Sequence, residues 1–97
     1  MRLQADWMVN TDELLLEFLE ETGLALPPRV MAYNIKTRYN RQISYSTINR
    51  RLKHLKESGL VEKEYESGGF YSISDDGSSY LNGDLDASEL EYDVDRD

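Results

Sequence analysis

The order of helical and extended patterns along this chain predicts an α+β fold. Three segments carry apolar residues at helical spacing, two short extended segments flank a glycine-containing turn, and one short helix follows. The 97 residues are enough for one hydrophobic core, so we expect one domain over residues 7–83 and an acidic tail over residues 84–97. The sequence has no cysteine, which excludes disulfides and thiolate metal sites, and no apolar run of about 18 residues that could span a membrane.

The first helix is predicted from Thr11 to Thr22. Asn10 or Thr11 is expected to cap it, and Gly23 can end it by adopting a left-handed conformation. Asp12 lies in the first turn, where a negative charge stabilises the positive end of the helix dipole. The apolar positions at helical spacing are Leu15, Leu16 and Leu19.

The second and third helices follow closely, as in a helix-turn-helix pair. Pro28 is expected in the first turn of the second helix, which should end near Tyr39. Ser44 is predicted to cap the third helix, which should run to about Ser58 and stop at Gly59. The predicted buried residues are Val30, Met31 and Ile35 in the second helix and Ile48, Leu52 and Leu55 in the third.

A hairpin and a short helix complete the predicted domain. Residues 60–65 are expected to form a strand, residues 66–69 a turn and residues 70–73 the returning strand. Ser74 should then cap a last helix that ends near Leu81 and folds back on the core. This order predicts a winged helix-turn-helix, in which the third helix enters the major groove of DNA and the hairpin, called the wing, lies beside it.

Charge is distributed very unevenly along the chain. Residues 22–56 contain no Asp or Glu, although the whole chain has 19 acidic residues and a net charge of −8. The same segment contains eight of the 11 basic residues: Arg29, Lys36, Arg38, Arg41, Arg50, Arg51, Lys53 and Lys56. Such a segment attracts a polyanion, and double-stranded DNA is the first candidate partner. The overall acidity favours a halophilic host; an ordinary acidic domain is the alternative.

The outward face of the third helix holds the candidate base-reading residues. If Ile48, Leu52 and Leu55 point inward, Ser46, Arg50 and Lys53 point outward, with Thr47 and His54 on the flank of that face. Helix-turn-helix proteins read bases mainly with the first part of this helix, which selects Ser46, Thr47 and Arg50. An arginine can donate two hydrogen bonds to O6 and N7 of guanine. Ser46 and Thr47 fit an ordinary helix start equally well.

The remaining candidates are expected to contact phosphates. Arg38, Arg41, Lys53 and Lys56 need only supply positive charge there, whereas Arg51 should lean toward a phosphate or a neighbouring helix. The backbone amides of Ser44 and Tyr45 can meet a phosphate at the helix N-terminus, although a packed position at the edge of the core suits Tyr45 as well. The predicted DNA-binding set is Arg38, Arg41, Ser44, Tyr45, Ser46, Thr47, Arg50, Arg51, Lys53 and His54.

Two further features limit the possible functions. The wing carries Glu62, Glu64 and Glu66 against the single Lys63, so we expect it to stay clear of phosphates or to touch them only through Lys63 and backbone amides. His54 is the single histidine, and without cysteine it is expected to be a surface residue rather than a metal ligand. Neither a metal site nor a cofactor is therefore expected. No catalytic motif is present, so an enzyme is not expected either.

Several stretches also resemble a known family. Residues 43–61, with the sequence ISYSTINRRLKHLKESGLV, resemble the recognition helix and first wing strand of winged helix regulators. Trp7-Met8, residues 12–19 (DELLLEFL) and residues 70–86 (FYSISDDGSSYLNGDLD) are similar to a phage-repressor-like subgroup from salt-loving archaea. The chain departs from that pattern at Val9-Asn10, where the subgroup has Thr-Pro, and in a longer, more basic link from Arg38 to Ile43. The resemblance, over residues 7–86, implies a transcriptional regulator that binds duplex DNA.

The leading hypothesis is a cytoplasmic, sequence-specific DNA-binding regulator, a repressor that works as a homodimer. Apolar candidates for the dimer contact are Trp7, Met8 and the alternating Leu90, Tyr92 and Val94 of the tail. The alternative is a winged helix interaction module whose basic face docks acidic partners or the chain's own acidic tail. This tail is either disordered or a strand that adds to a sheet edge or to a second copy of the chain.

Overall fold

The computed structural model describes residues 8–64 and 69–85. Its elements are α1 (Asn10–Thr22), α2 (Pro28–Tyr39), α3 (Tyr45–Glu57), β1 (Val61–Lys63), β2 (Tyr71–Ile73) and α4 (Asp75–Asn82). The two strands form an antiparallel pair. The predicted α+β winged helix-turn-helix is therefore confirmed in its order of elements, although both strands are shorter than expected.

The core lies where α1 and α2 pack against α3. Its completely buried apolar side chains are Leu15, Leu16, Leu19, Met31, Ile35, Ile48, Leu52, Leu55, Leu60 and Tyr80. Val30 was expected among them, and this prediction is wrong, since Val30 is 40% exposed. Met31 and Ile35 occupy the inner face of α2, and Val30 is turned about 100° away from Met31. Met8, one of the apolar candidates for a dimer contact, also packs in the core and exposes little surface in a single chain.

The start of α1 differs from the prediction. Val9, rather than Asn10 or Thr11, is the N-cap residue. Its backbone N–H donates to Oδ2 of Asp12 over 3.0 Å, and the N–H of Asp12 donates to the carbonyl oxygen of Val9 over 2.9 Å. Asp12 therefore satisfies the N–H of the N-cap residue, whereas the apolar side chain of Val9 cannot accept from the N–H groups of the first turn. The same carboxylate is completely buried.

The end of α2 and the start of α3, which flank the turn of the helix-turn-helix, are each fixed by a local residue. Asn40 adopts a left-handed conformation with φ of 56°, which terminates α2. Four residues later, Oγ of Ser44 accepts a hydrogen bond from the N–H of Thr47 over 3.2 Å and caps α3, as predicted. Both ends are thus fixed by local side-chain chemistry.

The wing is held by a pairing that the sequence did not reveal. Val61 faces Ile73 and Lys63 faces Tyr71 in the hairpin register. In addition, Leu26 and Tyr71 exchange two backbone hydrogen bonds of 2.8 and 2.9 Å. The segment between α1 and α2 therefore acts as a third, one-residue strand beside β2. The predicted turn over residues 66–69 lies mostly outside the described residues.

Helix α4 closes the domain against α1 and the hairpin. Oγ of Ser74 accepts from the N–H of Gly77 over 3.0 Å and donates to the carbonyl oxygen of Gly59 over 2.6 Å. The buried Tyr80 donates from its hydroxyl group to Glu13 over 2.7 Å. In the described ranges, no helix is long and apolar enough to cross a membrane. Trp7 and the tail from residue 86 onward, including its proposed strand, lie outside the described residues.

Candidate nucleic-acid interface

The outer face of α3 presents polar and basic side chains to solvent. Ser46, Asn49, Arg50 and Lys53 are all exposed, whereas Ile48 on the opposite face is completely buried. These four exposed residues recur at i, i+3, i+4 and i+7, so they form one continuous stripe along the helix. Asn49 was not among the predicted site residues, although the same helical spacing would have included it.

A groove of about 980 Å³ separates α3 from the wing. Its lining residues are Tyr45, Ser46, Asn49, Arg50, Lys53, Lys56, Glu57, Lys63, Glu64 and Tyr71. Four of these side chains are basic and two are acidic. The two carboxylates lie at the end of α3 and on the wing, and none of the lining residues in the first half of α3 is acidic.

The basic groups of the stripe are not neutralised by the described part of the protein. Within residues 8–64 and 69–85, no carboxylate forms an ion pair with Arg50 or Lys53. Their donors are therefore available to an external acceptor. An arginine in this position can meet a base edge or a phosphate with two parallel hydrogen bonds, whereas a lysine supplies a point charge.

Arg51 lies next to Arg50 in the sequence but points toward α1. Its Nε donates to Oδ1 of Asp12 over 2.9 Å, and its Nη2 donates to Oδ2 over 2.8 Å. The Asp12 side chain is completely buried and that of Arg51 is 14% exposed. Of the two roles expected for Arg51, the contact with a neighbouring helix is the one observed, and its guanidinium is engaged away from the groove.

His54 is buried, so the expectation of a surface histidine is wrong. It is only 3% exposed. His54 follows Arg51 by three residues and therefore lies on the same flank of α3, and α1 packs against that helix. The helical spacing of α3 alone could not show that a second helix covers this flank.

Arg38, at the end of α2, is tied to α1. Its Nη1 donates to Oε1 of Glu21 over 2.8 Å, and its guanidinium lies 5.7 Å from the centre of the Phe18 ring. The hydroxyl group of Tyr39 donates to the same oxygen of Glu21 over 3.2 Å. Burial, reinforced by the Glu21 charge, raises the pKa of Tyr39 above its ordinary value of 10.0. The following Arg41 is exposed in the link to α3.

Tyr45, the first residue of α3, stands at the edge of the groove. It is 41% exposed, and the guanidinium carbon of Arg29 lies 4.4 Å from the centre of its ring. Tyr71 of β2 lines the same groove, and burial together with the nearby Tyr45 raises the pKa of Tyr71. The described residues include no group of three His, Cys, Asp or Glu side chains that could hold a metal ion.

Comparisons with known proteins agree with this geometry. A family model described as "winged helix-turn-helix phage repressor" matches residues 1–93. The crystal structure of the PhiH1 repressor-like protein from Haloarcula marismortui is similar to this fold, with a TM-score of 0.73 and 33% sequence identity. The alignment covers 90% of this chain and 91% of that one. No curated protein sequence matches the chain significantly.

Proposed function

Because the chain belongs to the winged helix-turn-helix phage repressor family, we propose that it is a sequence-specific regulator that binds double-stranded DNA and represses transcription. In this proposal α3 enters the major groove and the wing lies beside the duplex. The observation that carries it is the exposed stripe of α3. In a chain of net charge −8, Arg50 and Lys53 have no described carboxylate partner.

The first half of the stripe is suited to reading bases. Arg50 can donate to O6 and N7 of guanine, and Asn49 can make the two hydrogen bonds that select adenine. Ser46 precedes them by one helical turn and stands near the N-terminus of α3, the part that helix-turn-helix proteins bring closest to the base edges. These three side chains are the proposed specificity residues.

The other exposed basic residues are suited to phosphates. Lys53 and Lys56 follow the stripe toward the wing, and Arg41 precedes α3. Each supplies charge that needs no fixed hydrogen-bond geometry. Arg38 can join them at small cost, since an exposed ion pair such as that with Glu21 contributes about 0–1 kcal/mol. Arg51 and His54 face the protein interior, and their proposed role is to hold α3 in position.

The test compares one base-reading residue with one phosphate contact. Duplexes bound by the wild-type protein are selected from a random pool, and affinity is measured for a selected duplex and for a scrambled duplex of equal composition. Arg50→Ala should lower the ratio of the two affinities by a factor that corresponds to about 1–3 kcal/mol in binding free energy. Lys53→Ala, the matched control from the same face, should weaken binding to both duplexes alike and reduce the salt dependence.

Two results would contradict this function. An unchanged affinity ratio in Arg50→Ala would remove base reading by that residue. A wild-type protein that binds no duplex in the pool at low salt would remove the DNA-binding role, and acidic proteins would then be the partners to test.

We further propose that the regulator binds as a homodimer. One recognition helix contacts too few bases for high specificity, and two copies would read half-sites about 34–36 Å apart. Sedimentation of the protein with a selected duplex should show two chains on a two-fold symmetric sequence. One chain per duplex, with no symmetry among the selected sequences, would contradict the dimer.

A further inference from the structure

Arg29 and Tyr45 form a cation–π pair at the place where α2 and α3 come together. Arg29 is the second residue of α2 and Tyr45 is the first residue of α3. The guanidinium carbon lies 4.4 Å from the ring centre, and both residues are exposed. The pair therefore extends the basic surface from the groove onto the N-terminal end of α2.

The contact with the ring leaves hydrogen-bond donors of Arg29 unused. A guanidinium carries five N–H groups around its plane, more than one ring face can engage. In residues 8–64 and 69–85, Arg29 has no hydrogen bond or ion pair, unlike Arg38 and Arg51, which are bound to Glu21 and Asp12. The ring of Tyr45 thus holds the guanidinium in place, while the N–H edge of the guanidinium remains open to an acceptor.

An oxyanion with two oxygens in one plane fits this edge. Phosphate accepts two parallel N–H hydrogen bonds from an arginine, which adds geometric specificity to the charge attraction. The positive ends of the α2 and α3 dipoles lie close by and favour the same charge. Both members of the pair belong to the segment over residues 22–56, which contains no Asp or Glu.

We propose that Arg29, held by the ring of Tyr45, binds a DNA backbone phosphate next to the major-groove contact of α3. This inference rests on the proposed function, and it assigns to Tyr45 a role that its hydroxyl group does not perform. The ring acts as a platform for Arg29, and the phosphate contact belongs to the arginine. Such a contact fixes the position of the recognition helix along the duplex without reading sequence.

The test uses the full chain with the selected and scrambled duplexes described above. Arg29→Ala should weaken binding to both duplexes by about tenfold, and should lower the slope of log affinity against log salt by about 1. Lys36→Ala, which removes an exposed cation from the same helix that is not paired with Tyr45, is the matched control and should have a smaller effect. Circular dichroism melting confirms that each variant is folded.

Substitutions of the tyrosine separate the platform from the hydroxyl group. Tyr45→Phe keeps the ring and should bind DNA as the wild type does, whereas Tyr45→Ala should lose about as much affinity as Arg29→Ala. The double variant Arg29→Ala/Tyr45→Ala should bind no more weakly than Arg29→Ala, because both substitutions remove the same phosphate contact. Arg29→Lys keeps the charge but not the planar edge, and should fall between the wild type and Arg29→Ala.

The outcomes distinguish this inference from the proposed function. If Arg50→Ala changes the affinity ratio but Arg29→Ala leaves affinity and salt slope unchanged, the phosphate site is wrong while the function stands. A loss in Tyr45→Phe equal to that in Tyr45→Ala would assign the contact to the hydroxyl group and overturn the platform. If the wild type binds no duplex, both proposals fail together.

Discussion

Removing the charge of Asp12 should destabilise the protein more than any other change to a described ion pair. Asp12→Asn keeps the size of the side chain, but one carboxylate oxygen becomes an NH₂ group. The carboxylate accepts two hydrogen bonds from Arg51 and one from the N–H of Val9. An amide has only one oxygen to offer, so at least one of these donors will face another donor.

The magnitude follows from the burial of the two partners. Breaking a buried ion pair costs about 3–5 kcal/mol, because the remaining charge loses the partner that offset its burial. The Arg51 side chain is 14% exposed and can partly reach water, so we expect the lower end, about 3 kcal/mol. For a domain of this size a loss of about 3 kcal/mol lowers the melting temperature by roughly 12–24 °C. Total stability is expected to be about 5–15 kcal/mol, so the variant should still fold.

The assay is urea unfolding followed by circular dichroism, with Glu21→Gln as the matched control. Glu21 belongs to an ion pair with side-chain exposures of 47% and 58%, so its loss should cost about 0–1 kcal/mol. The double variant Asp12→Asn/Arg51→Met also removes the arginine charge that the carboxylate had faced, and it keeps an oxygen for the Val9 N–H. It should therefore recover most of the stability lost in Asp12→Asn. Equal costs for Asp12→Asn and Glu21→Gln would refute the view that the buried pair holds α3 on α1.

Three other predictions concern stability alone. A Cβ atom at Gly77 would overlap the carbonyl oxygen of Leu60, so Gly77→Ala should lower the free energy of unfolding by about 1–3 kcal/mol in urea titrations, and a neutral result would contradict this packing. Ser44→Ala removes the cap of α3 and should cost about 1 kcal/mol by the same assay. Burial and the Glu21 charge raise the pKa of Tyr39 above 10.0. The stability that this shift contributes is complete below pH 10 and is lost as pH rises through the pKa of the folded state. Tyr39→Phe should therefore flatten the decline in unfolding free energy above pH 10.

Local sequence signals predicted the helices well. The Ser44 and Ser74 caps, the left-handed Gly23 and the apolar spacing all act within one or two turns, so their effect can be read without the fold. The start of α1 was missed because its cap depends on Asp12. The burial of this carboxylate depends on Arg51, which lies 39 residues further along the chain.

Contacts between distant segments account for the remaining differences. The pairing of Leu26 with Tyr71 has no local signature, because a single bridging residue shows no strand pattern. His54 is buried on the flank of the outward face, which helical spacing alone does not show. The paired Arg29 and Tyr45 are 16 residues apart and meet only when α2 and α3 pack. The sequence could therefore predict which face of α3 is exposed, but not which basic side chains form contacts within the protein.

The adjacent Arg50 and Arg51 show how this acidic chain can keep a basic surface. Consecutive residues of a helix point about 100° apart, which is enough to place Arg50 and Arg51 in different environments. Arg51 meets a buried carboxylate supplied by α1, whereas Arg50 faces the groove with no described carboxylate partner. Salt screens exposed charges far more than buried ones, so rising salt should weaken the proposed contacts of Arg50 while leaving the Arg51 pair largely intact. The scaffold that positions α3 is therefore expected to persist under conditions that weaken its hold on phosphates, and binding in concentrated salt would then depend on base contacts.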